Sequence, residues 1–306
     1  MSVFGVLTGG GDCPGLNAAI RAIVRGLDAR GHEVVGIREG WRGLAEREVL
    51  PFDRRAVAGI LPRGGTILGT SGFDPFREEG GLEALPTTTA TLGLAGVVAI
   101  GGEGTLGIAN RLSTEHGYPV VGVPKTIDND LAGTDVTIGF DHGIAGGADV
   151  ILVPEVPTAI EDVNEHVLAR HEQGKDFSIV VVAEGYPLTR RTGEQEHPVF
   201  QGADAYGYER LGGIGRVVAD EIARGTGFET RVTVLGHVQR GGTPTARDRF
   251  VATRLGLRAA ELADAGTWGR MAAVTGNEIG DVSLEQAVAG RRSVPAGWIE
   301  ATRVVS

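Results

Sequence analysis

The chain has a single cysteine, Cys13, so no disulfide forms within it; that scarcity fits a reducing compartment and predicts a cytoplasmic protein. No apolar run approaches the length of a membrane span, so no membrane partner is expected. The opening residues, MSVFGVLTGGG, lack a basic n-region and a small-residue cleavage pattern, and read as a first strand instead of a signal peptide. Positive charge is not in excess: the formal net charge is -10. An acidic surplus argues against a general nucleic-acid surface and leaves room only for a local basic pocket. No internal repeat with a fixed period is present.

What the chain does have is glycine, 50 in 306 residues, more than twice the usual share. No G-X-Y period accompanies them, which excludes collagen. They cluster as GGG, GGEGT and RGG beside apolar runs, as loops that approach a ligand closely would require. VFGVLT (3–8) reads as a buried strand, and GLNAAIRAIVRGLDARG as a helix with Leu16, Ile20, Ile23, Val24 and Leu27 on one face. EVVGI, TILGT, LAGVVAIGG, YPVVGVP, ADVILVPE, FSIVVVAEG and TRVTVLGHV read as further strands, FSIVVVAEG as a strongly buried one. GLEALPTTTATLG, TLGIANRLSTEHG, AIEDVNEHVLARHEQG, the later part of YERLGGIGRVVADEIARGTG and TARDRFVATRLGLRAAELADAG read as helices; WGRMAAVTGNEIGDVSLEQAVAG reads as strand, turn and helix. Alternating strands and helices imply a largely parallel sheet covered on both faces, with ligands bound beyond its C-terminal strand ends.

Four loops carry candidate chemistry. GGGDCPGLN (9–17) suits an anion at a helix start, or a tight turn with no ligand. In GGEGT (101–105), Glu103 either holds a cation beside phosphates or caps helix amides. In PKTIDND, Asp128 and Asp130 flank Asn129 as a base and a cation partner, or as a polar Asx-turn; Lys125 either neutralises phosphate or sits at the surface. In RVTVLGHVQRGG, Arg231, His237 and Arg240 suit a phosphorylated substrate, or a solvated strand end. Glu184, closing IVVVAEG, suits substrate hydroxyls.

The blocks GVLTGGGDCPGLNAAIR, RGGTILGT, VVAIGGEGTLGIA, GVPKTIDNDLAGTDVTIGF, GGADVILVPE and VTVLGHVQRGGTPTARDR together resemble the 6-phosphofructokinase family, in order and across most of the chain. That resemblance implies a two-lobed, three-layer α/β sandwich with mostly parallel sheets. It implies transfer of a phosphoryl group from ATP, with magnesium, to the 1-hydroxyl of fructose 6-phosphate in glycolysis. Gly11, Arg77, Gly102, Glu103, Gly104, Thr105 and Lys125 resemble the donor side, with Glu103 at the metal-associated position. Asp128 resembles the general base and Thr126 and Asp130 its neighbours. Thr126, Asp128, Glu184, Arg231, His237 and Arg240 resemble sugar-phosphate ligands. Gly104 favours ATP, in an actinobacterial-type group; Lys125 favours pyrophosphate, and Gly104 is weighted more because it bears on room for a nucleotide. Arg21, Arg25 and Arg54 resemble effector positions of allosteric members. The resemblance implies a homotetramer, or at least a homodimer, since Arg231 reaches a neighbouring subunit's site in that family.

Two departures qualify it. Gly72 stands where the family has an arginine bridging donor and acceptor phosphates. GFDHGIAGG, around Asp141 and His142, lies where the family has a helix, a strand and an MGR-type substrate motif, so an internal deletion is expected there. The lobes are expected at 1–142 plus 239–290 (donor) and 143–238 plus 291–306 (sugar phosphate), the second with a sheet one strand short. Impaired activity, a pyrophosphate-dependent enzyme, or a catalytically weak regulatory homologue are the readings that compete with full ATP-dependent activity.

Overall fold

A computed structural model describes residues 1–140, 148–196, 199–203, 209–295 and 297, with side chains described for all of these except 199–203, 209–212 and 237. The junction at 141–147, including Asp141 and His142, lies outside the described residues. The chain divides into two units: Met1–Ile144 with Gly236–Arg292, and Ala145–Leu235 with Ser293–Ser306.

The larger unit is built on one seven-stranded sheet. Its strands are β1 (Val3–Thr8), β2 (Glu33–Ile37), β3 (Val49–Pro51), β4 (Leu94–Gly101) and β5 (Val120–Pro124), followed much later in the chain by Arg270–Thr275 and Glu278–Ser283. Strands β2, β1, β4, β5 and Arg270–Thr275 run parallel in that order; β3 and Glu278–Ser283 close the two edges antiparallel. Helices α1 (Leu16–Asp28), α2 (Gly40–Glu46), α3 (Gly81–Thr91) and α4 (Glu103–His116) connect the first five.

Both sheet faces are covered, and β5 shows how. Its Val121 and Val123 point into the same core as Leu16, Ile20, Ile23 and Leu27 of α1. A side chain on the intervening Gly122 would meet Leu106 of α4 and Leu284 on the opposite face. That alternation is the period-2 pleat of a strand buried on both sides. The expected α/β architecture holds, with four differences in local detail. TILGT forms turns instead of a strand, its Thr66 and Gly69 bonded to the Thr8 hydroxyl. WGRMAAVTGNEIGDVSLEQAVAG forms two antiparallel strands before its helix, because Thr275 and Glu278 pair across a Gly276 with φ 59°. Helix α2 and strand β3 were not legible: both are short, and α2 starts at a Glu39 with φ 52° and has no side-chain cap.

The smaller unit has no continuous sheet among its described residues. It contains three two-stranded pieces: β6 (Val150–Leu152) parallel to β7 (Val180–Val182), β8 (Leu188–Thr189) with β9 (Gln195–Glu196), and β10 (Val199–Ala203) with β11 (Glu209–Gly212), the last two pairs antiparallel. Two helices, α5 (Ile160–Glu172) and α6 (Ile214–Thr226), pack through Ile160, Val163, Ile214, Val218 and Ile222, with Tyr186 and Leu188. A sheet one strand short was expected; the strands here fall into separate pairs. The reading of FSIVVVAEG as a strongly buried strand is corrected likewise: three residues pair, all half-buried, and Phe177 is 72% exposed. TRVTVLGHV is not a strand. Residues 227–235 carry no regular structure, Gly236–Arg240 form a 3-10 turn, and Val234 is 78% exposed. An apolar β-branched run becomes a strand only where a neighbouring strand takes its amides, and this one has no such partner among the described residues.

The remaining elements belong to the larger unit: α7 (Ala246–Asp264), β12 (Arg270–Thr275), β13 (Glu278–Ser283) and α8 (Leu284–Val288). Helix α7 is fixed at its start by a capping box between Thr245 and Asp248, and it packs along α1. The fit is close. A side chain on Gly256 would sit 2.8 Å from the Ala19 carbonyl, and one on Gly26 2.9 Å from the Ala260 methyl.

Candidate active site

From β1 the chain moves through β2 to β3 on one side, while β4, β5 and β12 lie on the other. The order reverses between β1 and β4, so the loops leaving their C-terminal ends diverge and open a crevice there. The loop after β1 is GGGDC. A side chain on Gly11 would lie 2.2 Å from an Arg240 nitrogen, so only glycine lets that guanidinium approach the loop backbone; Arg240 donates to the Asp12 carbonyl at 3.4 Å. Gly15 precedes α1 with φ 105° and no side chain caps the helix start. The loop after β4 opens α4, and Thr105 in its first turn is buried against Gly9 and Gly101, its hydroxyl without a hydrogen-bond partner. Asn17 of α1 holds the neighbouring RGGTIL turns, accepting from the Ile67 amide and donating to the Arg63 and Gly64 carbonyls.

The loop after β5 carries the carboxylates. The Thr126 hydroxyl accepts from the Asp128 amide at 3.1 Å and donates to its carboxylate at 3.2 Å. Asn129 turns the chain with φ 53°, its carbonyl oxygen accepting from the Thr137 amide and its amide donating to the Asp135 carbonyl. The Thr137 hydroxyl donates back to the Thr126 carbonyl at 2.6 Å. These bonds turn PKTIDND into a fixed bend that leaves Asp128 exposed and Asn129 buried. The bend is anchored outside itself: the Val274 and Gly276 amides donate to Thr134 and Asp135.

Lys125 begins this loop and lies inside the protein, 2% exposed, so its surface reading is corrected. Its ammonium donates to the Gly11 carbonyl at 2.5 Å, joining the β5 loop to the β1 loop. Burial lowers its pKa, and Arg240 lowers it further, against the raising influence of Cys13, Asp12 and Asp128. Burial raises Asp12 and pushes the Cys13 thiol up to about 12, while Lys125 and Arg240 pull both down. Asp130 is raised first by burial and then by Asp128, with Glu103 acting in the same direction. The crevice thus places cations over the β1 loop and surplus negative charge between the β4 and β5 loops.

Glu103 is paired: Arg291 donates to it at 2.9 Å. Arg291 follows α8 and forms an antiparallel bridge with Leu131. Arg292 donates its amide to the Asp130 carbonyl at 2.7 Å and its guanidinium to the Thr134 and Asp135 carbonyls at 2.9 and 2.8 Å. Sequence reasoning passed over Arg291 and Arg292 because nothing local marks RR after a short helix; their importance comes from a contact across 188 residues.

Gly11, Gly102, Glu103, Gly104, Thr105, Lys125, Thr126, Asp128, Asp130 and Arg240 all lie on these loops or against them. The other anticipated residues lie on other elements. Arg77 pairs with Asp74 at 3.3 Å in the segment before α3. Arg54 pairs with Asp28, and Arg21 and Arg25 lie one turn apart on α1, Arg25 lowering the Arg21 pKa after burial. Glu184 and Arg231 belong to the smaller unit, where Glu184 is exposed and Arg231 pairs with Glu229 at 3.1 Å. The His237 side chain lies outside the described residues.

Residues 3–142 and 141–263 match the family model described as Phosphofructokinase, so the two matched stretches meet at 141–142. The chain is 46% identical to the pyrophosphate–fructose 6-phosphate 1-phosphotransferase of Amycolatopsis methanolica, over 98% of each chain, and 44% identical to the ATP-dependent 6-phosphofructokinase 3 of Streptomyces coelicolor, over 98% of this chain and 99% of that one. The first alignment spans 344 positions, whereas 98% of 306 residues is about 300, so about 44 of its positions have no residue in this chain. Among solved structures, the phosphofructokinase of Pichia pastoris in its T-state superposes with a TM-score of 0.77 at 29% identity, covering 94% of this chain and 37% of that one.

Proposed function

Because the chain belongs to the phosphofructokinase family, we propose that it transfers a phosphoryl group from ATP to the 1-hydroxyl of fructose 6-phosphate. The observation that carries this reading is the Thr126–Asp128 turn placed beside Lys125 on the Gly11 loop. Asp128 is exposed and, among the described residues, accepts one side-chain hydrogen bond, from a hydroxyl that also orients it, as a general base for a sugar hydroxyl requires. Gly11, Gly102, Gly104 and Thr105 form the donor-phosphate cradle, with Lys125 as its cation, and Arg240, set against Gly11, is a sugar-phosphate ligand. In such a transfer the protein mainly positions groups and neutralises oxygens.

Magnesium fits this site as a companion of the donor. Among the described residues no three His, Cys, Asp or Glu converge on one point, and magnesium ordinarily takes only one or two carboxylates and completes its shell with phosphates and water. The raised Asp130, facing Asp128 and Glu103, marks the surplus negative charge such a cation relieves. Glu103 and Asp130 would hold it, and it would neutralise charge on the transferring phosphate.

Gly104 supports ATP, since a side chain there would narrow the space beside the donor phosphates. A second reading, pyrophosphate as donor, is supported by Lys125, whose buried ammonium sits against the Gly11 loop. Initial rates with magnesium, fructose 6-phosphate and each donor separate the two: faster turnover with ATP is expected, and a preference for pyrophosphate would reverse the assignment. We place donor binding on the unit 1–142 plus 239–290 and sugar-phosphate binding on the rest, with Glu184, Arg231 and His237 as ligands. The break in the family match at 141–142 and the paired fragments of the smaller unit support reduced sugar binding. The expected signature is a raised KM for fructose 6-phosphate with donor binding retained; no turnover with either donor, alongside ordinary ATP binding, would favour the regulatory homologue.

A further inference from the structure

We propose that Arg291 is a positioning residue that holds the Glu103 carboxylate and competes with the donor's metal for it. The inference rests on the reading of Glu103 as the acid on the donor side.

Three observations lead to it. The Arg291 guanidinium lies 2.9 Å from Glu103, on the loop after β4. This cation therefore sits on the acid assigned to the donor's metal. The Arg291 backbone is held in place by Leu131 on one side and by Arg292 on the other, where Arg292 makes three hydrogen bonds to the backbone of residues 130–135. The carboxylate loop thus carries its own competitor at a fixed distance.

The ion pair is not what fastens the segment, because the Arg292 bonds do that without it. Nor does Glu103 need a partner to be tolerated: it lies in the first turn of α4, where the helix dipole already favours an acid. The Arg291 side chain is 61% exposed and that of Glu103 30% exposed. A pair so open to solvent is weak and is readily exchanged for a divalent ion. A solvent-exposed cation that is aimed at the metal-side acid and held by the catalytic loop is suited to exchange.

The test is direct titration of the full chain with manganese, read by water-proton relaxation, which requires no turnover. Arg291→Gln should tighten manganese binding about two- to five-fold, the range a solvent-exposed pair allows. Arg291→Lys keeps the charge and should stay within about two-fold of wild type. Glu103→Gln should weaken binding in either background. Thermal melts of all variants should match wild type, since Arg292 is untouched. If Glu103→Gln weakens manganese binding but Arg291→Gln leaves it unchanged or weaker, the competition is refuted and the role of Glu103 stands. Tightening by Arg291→Lys equal to that by Arg291→Gln would also refute it. If Glu103→Gln binds manganese as well as wild type, the assignment of Glu103 itself fails.

Discussion

At the scale of single residues, the site sets activity against stability. Burial and Asp128 raise the Asp130 pKa above its ordinary 3.8. The folded protein therefore keeps this proton at pH values where the unfolded chain has lost it. The associated stability is complete below the ordinary value and disappears as pH rises through the raised one. Asp130→Asn should raise Tm at neutral pH and leave it unchanged in strong acid, while turnover falls; equal Tm shifts at both pH values would contradict the stated cause. Asp128→Asn should lower kcat about 100- to 10,000-fold, the usual contribution of a general base, with an unaltered melt. Asn129 has a different task. Its left-handed backbone and paired amide shape the bend, so Asn129→Ala should destabilise by about 1–3 kcal/mol through the unpaired Thr137 amide and the strained φ. Asn129→Gly relieves the second cost only. The sequence brought Asp128 and Asp130 into view through their spacing. It could not display Asn129 as the scaffold, because that role depends on bonds to 135 and 137 that appear only once the bend exists.

At the scale of elements, legibility followed burial. Strands β1, β4 and β5 were plain in the sequence because each is an apolar run sealed on both faces, and α1 because its apolar stripe meets α7 and the sheet. TRVTVLGHV has the same composition and forms no strand, since composition does not say whether a partner exists. The α1–α7 contact depends on small residues that a hydrophobic pattern ignores. Gly256→Leu should force the helices apart against the Ala19 carbonyl and destabilise by about 1–3 kcal/mol or more; an unchanged Tm would mean the helices repack freely. The predicted helices α4, α5 and α7 formed near their expected bounds, and α7 gained its sharp start from the Thr245–Asp248 box.

At the scale of the whole molecule, two units of unequal construction share one chain. The larger has a seven-stranded sheet covered by helices. Among its described residues the smaller rests on two helices and three strand pairs, and isolated two-stranded pairs are marginal in water. Hydrogen exchange should therefore protect β1, β4 and β5 most and release the amides of β6 and β7 well before global unfolding; equal protection of β6 and β4 would contradict this. Phe177, Ile179 and Val234 of the smaller unit are exposed, and we propose that a second copy covers them in the homodimer or homotetramer that the family resemblance implies. Sedimentation equilibrium tests it directly: a monomer at all concentrations would remove that proposal and with it the cross-subunit role of Arg231.

The pairing of α1 with α7 also has a consequence for synthesis. The helix that covers the apolar face of residues 16–28 lies far along the chain, at 246–264. Residues 145–235 of the smaller unit are translated in between. Until then Leu16, Ile20, Ile23 and Leu27 lack part of their cover, and a chain released early cannot finish its first core. The first core therefore depends on a contact between segments far apart in the chain, which delays its completion during folding.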